Sequence, residues 1–396
     1  MMYIATSDSN PVSLSSLKSC VEEIDWRFID AETQYLTHNL HRYSGKYIPQ
    51  IAKKAIELIS KPGETILDPY VGSGTTILEA ALTGRNAIGV DLNPLAVLIT
   101  SAKVRPIKKD LLNSLYNKFY SLIKQISDRS DDQLSLYSEC NHIFDYIKDD
   151  WRLNHPWYTK WFQKPVLEEL LYIYNHINTL DNPDQSRLAK VAFSDILRKC
   201  SNAHSGYPNV MYDRNSLLRN GCSLDFLKSL KRCIDMVASI EDKIPINCSL
   251  NIFIGDATNL PIDDSSVDAI VTHPPYIGSI PYAEYGALSL EWLGYNSKDI
   301  DAILTGGKRQ SRYIVERFEN GYRSMLSESF RVLKPKKIIF IMVGNPLVRG
   351  SVIDLALMTK RLSIDTGFTL IAETTREGVN RRANKMGLET LLLFKK

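Results

Sequence analysis

The sequence predicts an α/β fold: a mainly parallel sheet with helices on both faces, closed by an antiparallel C-terminal hairpin and interrupted by a largely helical insertion. Three observations predict it. A strand, a glycine-rich turn, a helix and a second strand follow one another between Thr65 and Val90, and that succession is a βαβ unit, which requires parallel strands. The rhythm is lost from Lys103 to Cys248, where helical patterns and aromatic residues dominate. It resumes at Leu250 and ends on two apolar runs close enough to pair with each other.

Taken in order, Ile48 to Ile59 carries apolar residues at helical spacing, broken by Lys61-Pro62-Gly63. Thr65-Ile66-Leu67 is a buried strand ending at Asp68. Thr75 to Thr83 is a helix stopped by Gly84, Asn86 to Val90 a second strand ending at Asp91, and Pro94 to Ala102 the next helix. Within the insertion, helices are expected at Leu112 to Ile126, Trp157 to Ile177, Ala189 to Leu197 and Leu224 to Ile240. Polar stretches at Ser127 to Gln133, Asp181 to Ser186 and Ser201 to Asn215 separate them. Strands follow at Leu250 to Asp256 and Val267 to Thr272, then a helix at Gly321 to Leu333, a break at Lys334-Pro335 and a strand at Lys337 to Val343. A helix at Ser351 to Thr366 precedes the closing strands, Phe368 to Thr375 and Thr390 to Phe394. The aromatics Trp151, Trp157, Trp161, Tyr172 and Tyr174 are read as core.

A chain of 396 residues can hold one large α/β domain with an insertion, or two domains. With 44% hydrophobic and 23% charged residues it has the composition of a globular protein. No apolar run approaches the ~18 residues of a spanning helix, and Met1 to Ser16 lacks a secretion-signal pattern, so a cytoplasmic protein without membrane contact is expected. The six cysteines stand singly, without a C-x-x-C pair; neither a metal site nor a disulfide framework is expected. The net charge of +3 does not announce a nucleic-acid binder. Basic residues do cluster at Lys103 to Lys109, Lys308 to Arg312 and Arg376 to Lys385.

The turn Asp68-Pro69-Tyr70-Val71-Gly72-Ser73-Gly74-Thr75-Thr76 joins strand to helix. Glycine lets the backbone approach a ligand where a Cβ would collide, and the helix start offers free amides. It is not a P-loop, because the G-x-x-x-x-G-K-[ST] lysine is absent, nor G-x-G-x-x-G, because no glycine stands three positions after Gly74. Asp91 is placed to accept both hydroxyls of a ribose, or to cap the helix that follows Leu92-Asn93. In Thr272-His273-Pro274-Pro275-Tyr276 two prolines stiffen the backbone and remove two amide donors. The carbonyls then face outward beside an aromatic ring, which suits a planar group bearing an amine.

Together these segments resemble the DNA amino-methyltransferases. Asp68 to Thr76 is similar to their cofactor motif, and His273-Pro274-Pro275-Tyr276 to their catalytic Ser/Asn/Asp-Pro-Pro-Tyr/Phe. His38 to Gln50, with Tyr43, Lys46 and Pro49, resembles the upstream cofactor segment. Ile254 to Pro261 resembles a third motif, with Asp256 and Ala257 near the adenine. Tyr276 to Gly294, and the hairpin with Arg381, Arg382 and Glu389-Thr390, resemble the cytosine-N4 branch. The resemblance spans roughly 43–102 and 250–396, with the motifs in the family's order.

It implies a Rossmann-like class I methyltransferase fold, S-adenosylmethionine as cofactor and duplex DNA as substrate, with a restriction endonuclease as a further expected partner. Residues 1–102 and 249–396 would form the catalytic, cofactor-binding domain, and 103–248 an insertion and candidate DNA-recognition region. The cofactor residues implied are Tyr43, Lys46, Pro49, Asp68, Pro69, Tyr70, Gly72, Ser73, Gly74, Thr75, Thr76, Asp91, Leu92, Asn93, Asp256 and Ala257. Lys308, Arg309, Arg312, Arg381 and Arg382 would contact DNA, and Ser201 to Arg219 would read bases. The sequence departs from the pattern at His273, where the cytosine-N4 branch has serine. An imidazole there can take up the amine's proton or serve only as a hydrogen-bond partner, and the departure leaves adenine N6 open. Carbon-5 methylation needs a thiolate nucleophile, usually in a Pro-Cys turn, and no cysteine follows a proline. Two other readings stand beside the DNA enzyme: an RNA guanine or adenine amine methyltransferase, and a non-catalytic nucleic-acid-binding protein on the same scaffold.

Overall fold

In the computed structural model, one sheet of seven strands carries the molecule, in the order β3-β2-β1-β4-β5-β9-β8. The strands are β1 (Thr65–Asp68), β2 (Asn86–Asp91), β3 (Leu250–Ile254), β4 (Val267–Thr272), β5 (Leu333–Gly344), β8 (Thr369–Glu377) and β9 (Leu388–Lys395). A separate two-stranded ribbon pairs β6 (Leu347–Val348) with β7 (Ser351–Val352). The described residues are 14–127, 145–207, 209–278, 281–307, 311–378 and 387–396. Part of the N-terminal stretch, most of Ser127 to Gln133, Cys140, Lys308, Arg309, Arg381 and Arg382 lie outside them. The five described cysteines are free.

β1 to β5 run parallel. β9 lies antiparallel to both β5 and β8, the closing hairpin that the two last apolar runs predict. Alternate residues of each strand enter two different cores, since successive side chains point to opposite faces. Ile66, Ala269, Phe340 and Leu391 pack under the helices Leu14–Glu23 and Pro49–Ile59. Leu67, Ile270, Ile341 and Leu392 pack under Ile314–Val332 and Leu355–Thr366. Helices therefore cover both faces.

Several boundaries differ from expectation, each for a local reason. The expected helix Trp157 to Ile177 is two helices, Pro156–Trp161 and Lys164–Asn178, because Phe162 and Gln163 are extended and Pro165 opens the second. The helix expected at Ala189 to Leu197 runs Pro183–Cys200, started by the Asn182 side chain accepting from Asp184 N and Gln185 N. Ser351 and Val352 belong to the ribbon, and the helix after them starts at Leu355 under an Asp354 cap. Lys334-Pro335 does not separate helix from strand. It sits inside β5, at the irregularity where the register to β4 shifts between Val267 and Ala269. Trp151 is 64% exposed and is not core; it caps the surface against His155 and Tyr158.

The helices Lys109–Ser127, Lys164–Asn178, Pro183–Cys200 and Ser223–Ala238 share a core of their own. Trp292, from beyond β4, lies within it, its ring 5.0 Å from Phe193, 5.2 Å from Tyr158 and 5.3 Å from Tyr174. Ala102 of the helix Pro94–Lys103 and Ile107 enter it too, so this helical layer is packed onto the sheet's own helical cover by apolar contact. Among the described residues no helix is long and apolar enough to cross a membrane.

Candidate active site

The site is built where β1, β2 and β4 end side by side. Asp68 closes β1, and the chain then turns through Gly72 (φ 50°) and Gly74 (φ 79°) before the helix Thr75–Leu82 begins. Left-handed backbone at both positions requires glycine or a strained residue. At Gly74 there is a second reason: a Cβ would lie 2.6 Å from Thr100 Cγ2.

Asp91 ties this turn to β2. Its Oδ2 accepts from Gly72 N at 2.9 Å and its Oδ1 from Asn93 N at 2.9 Å. The helix cap is Asn93, which accepts from Leu95 N at 3.1 Å, so Asp91 does not cap and its remaining lone pairs are left for the cleft. Asp68 is fully surrounded, accepting from Thr76 Oγ1 (2.6 Å), Thr272 Oγ1 (2.8 Å) and Tyr70 N (3.1 Å). Burial pushes both carboxyls up to about 6, against which these hydrogen bonds work.

These ends open on a cleft of about 730 Å³. Of the expected residues, Tyr43, Lys46, Asp68, Pro69, Tyr70, Gly72, Ser73, Thr75, Asp91, Leu92, Asn93, Ala257, His273 and Pro275 line it. Pro49 instead starts a buried helix, and Thr76 sits behind Asp68, bonded also to Tyr47 Oη at 2.6 Å. Asp256 turns back on its own loop, accepting from Thr258 N at 2.8 Å, and faces a neighbouring hollow of about 540 Å³. Tyr276 does not offer its ring to the cleft: it is buried, with its hydroxyl 2.7 Å from His273 Nε2. Arg312 is exposed beside the Tyr313 ring.

Gly45, Tyr47, Tyr282, Leu304 and Thr305 also line the wall and were not expected there from sequence. Tyr282 stacks near Tyr43 at 6.2 Å, and Thr305 accepts from Tyr70 Oη at 3.3 Å. Gly45 and Tyr47 carried a signal, as part of the segment around Tyr43 and Lys46.

His273 reaches the same cleft from the end of β4. Burial holds it down to about 4, so the ring is neutral at pH 7. A neutral imidazole has one donor and one acceptor nitrogen, which suits contact with an amine. Ser73 Oγ is buried without a hydrogen-bond partner, and a buried unpaired hydroxyl is costly unless a ligand completes it. The cleft thus joins two buried carboxyls, a glycine turn, an unpaired hydroxyl, aromatic walls and a neutral imidazole. Among the described residues no cluster of His, Cys, Asp and Glu could hold a metal ion.

Sheet order and cleft define the class: a Rossmann-like methyltransferase. A family model for DNA methylases matches residues 21–101. A Type II methyltransferase of Kocuria varians, M.MvaI, is 28% identical over 344 residues, 80% of this chain and 71% of that protein. M.MjaII of Methanocaldococcus jannaschii, also a Type II methyltransferase, is 24% identical over 418 residues, 87% of this chain and 77% of that protein. A solved SAM-dependent methyltransferase of Methanosarcina mazei is a distant likeness, at 12% identity, 86% and 96% coverage and a TM-score of 0.35. These matches support a place among the DNA amino-methyltransferases, without separating the adenine-N6 from the cytosine-N4 branch.

S-adenosylmethionine is the cofactor that goes with this family, and the residues present fit it. The ribose diol is a double donor, for which Asp91 keeps acceptor capacity. The sulfonium and ammonium are cationic, for which the buried carboxyls are suited, and Ser73 lacks a partner that a polar ligand would supply.

Proposed function

We propose that this chain methylates the exocyclic N4 amine of cytosine in duplex DNA. The observation that carries the reading is the convergence of His273, from the end of β4, on the same cleft as Asp91 and the Gly72 turn. The choice of cytosine over adenine is supported by the resemblance of Tyr276 to Gly294 and of the C-terminal hairpin to the cytosine-N4 branch.

When bound, S-adenosylmethionine supplies an electrophilic methyl group. The protein's own part is alignment. Asp91 and the Gly72 turn hold the nucleoside end, Tyr43 and Tyr282 wall it, and Ser73 meets the amino-acid end. Pro274 and Pro275 fix the carbonyls that accept from the target amine, beside His273. Bringing donor and acceptor into line in a closed site supplies much of the rate enhancement of such a transfer. The target base must leave the duplex, at a cost of a few kcal/mol. Residues 103–248 serve as the DNA-recognition insertion, on a catalytic domain of residues 1–102 and 249–396. Its segment Ser201 to Arg219 presents Leu217 and Leu218, 82% and 92% exposed, between Arg214 and Arg219. Exposed apolar side chains flanked by cations suit a nucleic-acid surface. Arg312, Lys308, Arg309, Arg381 and Arg382 are the further phosphate contacts, and a cognate endonuclease is the expected partner of the modification.

The test is transfer of tritiated methyl groups to duplex DNA and, in parallel, to tRNA. The wild-type protein is expected to label DNA and not tRNA, and D68A or Y276A to remove the label. Normal labelling by either variant, or labelling of tRNA alone, contradicts the reading.

A further inference from the structure

Tyr276 was expected to present its ring to a base, yet its hydroxyl is held inside the protein between two acceptors. His273 Nε2 lies 2.7 Å from Tyr276 Oη, and Glu389 Oε1 lies 3.4 Å from it. Glu389 belongs to β9, in register with Gly344 of β5 on one side and Arg376 of β8 on the other. These three residues form one row across the sheet. The Tyr276 ring rests on Gly344, where a Cβ would meet its ring carbons at 3.2 Å and its hydroxyl at 3.1 Å. Arg376 Nη1 faces Glu389 Oε2 at 3.5 Å, with both side chains buried, and Arg376 Nε has no partner.

Hydrogen accounting makes this arrangement consequential. The His273 ring also bonds the backbone of Gly45, a contact that favours the protonated ring, as donation to a carbonyl does. In the neutral ring one nitrogen donates and the other accepts. With one nitrogen donating to Gly45, Nε2 is the acceptor and takes the phenolic hydrogen of Tyr276. His273 then has no free nitrogen to meet an amine. The phenol has a single hydrogen, and Glu389 is the second acceptor at the same oxygen.

We propose that Glu389, held by Arg376, is a positioning residue that governs whether His273 Nε2 is available to the substrate amine, by competing with it for the hydroxyl hydrogen of Tyr276. Rotation of that hydroxyl toward Glu389 breaks no covalent bond and opens Nε2. This inference rests on the amine-methylation reading for its consequence, but not for its geometry.

The test uses E389Q, Y276F and the double variant of the full chain. Arg376 is only a donor, so it keeps the Gln oxygen on its own side and turns the amide NH₂ toward Tyr276. The phenolic hydrogen then stays on His273. E389Q is expected to lower kcat on duplex DNA at least about tenfold, while KM for DNA and Kd for S-adenosylmethionine stay within about twofold. In the Y276F background, where there is no hydroxyl hydrogen to direct, the same substitution is expected to change kcat less than about twofold. An equal loss in both backgrounds overturns the proposal. A second arm needs no activity: nitrogen-15 spectra of histidine-labelled protein, with the His273 signal assigned by H273N. Y276F is expected to move the Nε2 resonance toward that of an unbonded acceptor, and E389Q to leave it hydrogen-bonded. An unmoved resonance in Y276F overturns the proposal. If the wild type labels no DNA, the amine reading fails by itself and the nitrogen arm still decides this one.

Discussion

Asp91 shows most clearly how one side chain links fold to function. Its two oxygens each accept one backbone amide, from Gly72 and from Asn93, so it fixes the turn and faces the cleft at once. Burial raises it, and Asp68 with it, to about 6. The raised value carries a sign: at pH 7.5 the group is ionised and accepts hydroxyl hydrogens, whereas at pH 5 only about one molecule in eleven is ionised. Calorimetric binding of S-adenosylmethionine is therefore expected to weaken by up to about tenfold between pH 7.5 and pH 5. D91N should bind weakly at both values and lose much of that dependence. A wild-type Kd that is flat over this range contradicts the assignment of Asp91 as the ionised acceptor. The carboxylate was legible from the sequence because it ends an apolar strand one βαβ step after Asp68. The buried role of Tyr276 was not, because Gly344 and Glu389 lie far along the chain and meet it only through the sheet.

At the scale of elements, the β1-turn-β2 unit was read closely and the far walls of the cleft were not. Local chemistry explains the difference. Gly72, Gly74 and Gly84 punctuate short apolar runs, so strand, turn and helix are written in contiguous sequence. Tyr282 opens a short helix after the catalytic loop, Leu304 and Thr305 follow the end of another, and only tertiary packing brings them to β1. The turn itself is expected to be intolerant. Gly74→Ala forces a left-handed alanine, at about 1–2 kcal/mol, and presses a Cβ against Thr100 at 2.6 Å. Thermal unfolding should show a lower Tm, and S-adenosylmethionine binding should be lost or reduced more than about tenfold. A variant with wild-type Tm and Kd would show that the turn relaxes without consequence. The helices of the insertion were foreseen in type, but their ends were set by Asn182 and Pro165, as the start of the later helix Leu355–Thr366 was set by Asp354, caps and breakers that periodicity alone under-weighs.

For the whole molecule, the cleft opens at the carboxyl ends of a parallel sheet, the place where open α/β sheets bind ligands, and a helical layer packs against the same domain. Trp292 is the element that joins them: it follows the catalytic loop in sequence yet lies in the core of the helical layer. A cofactor cleft on the sheet and an aromatic, cation-bearing layer beside it are what a base-modifying enzyme requires. Mass spectrometry of nucleosides from hydrolysed DNA of cells expressing the chain tests this most directly. The account predicts N4-methylcytosine that appears with the wild type and disappears with D68A. N6-methyladenine in its place would contradict the choice of base, and unmodified DNA from cells holding folded protein would contradict the central claim.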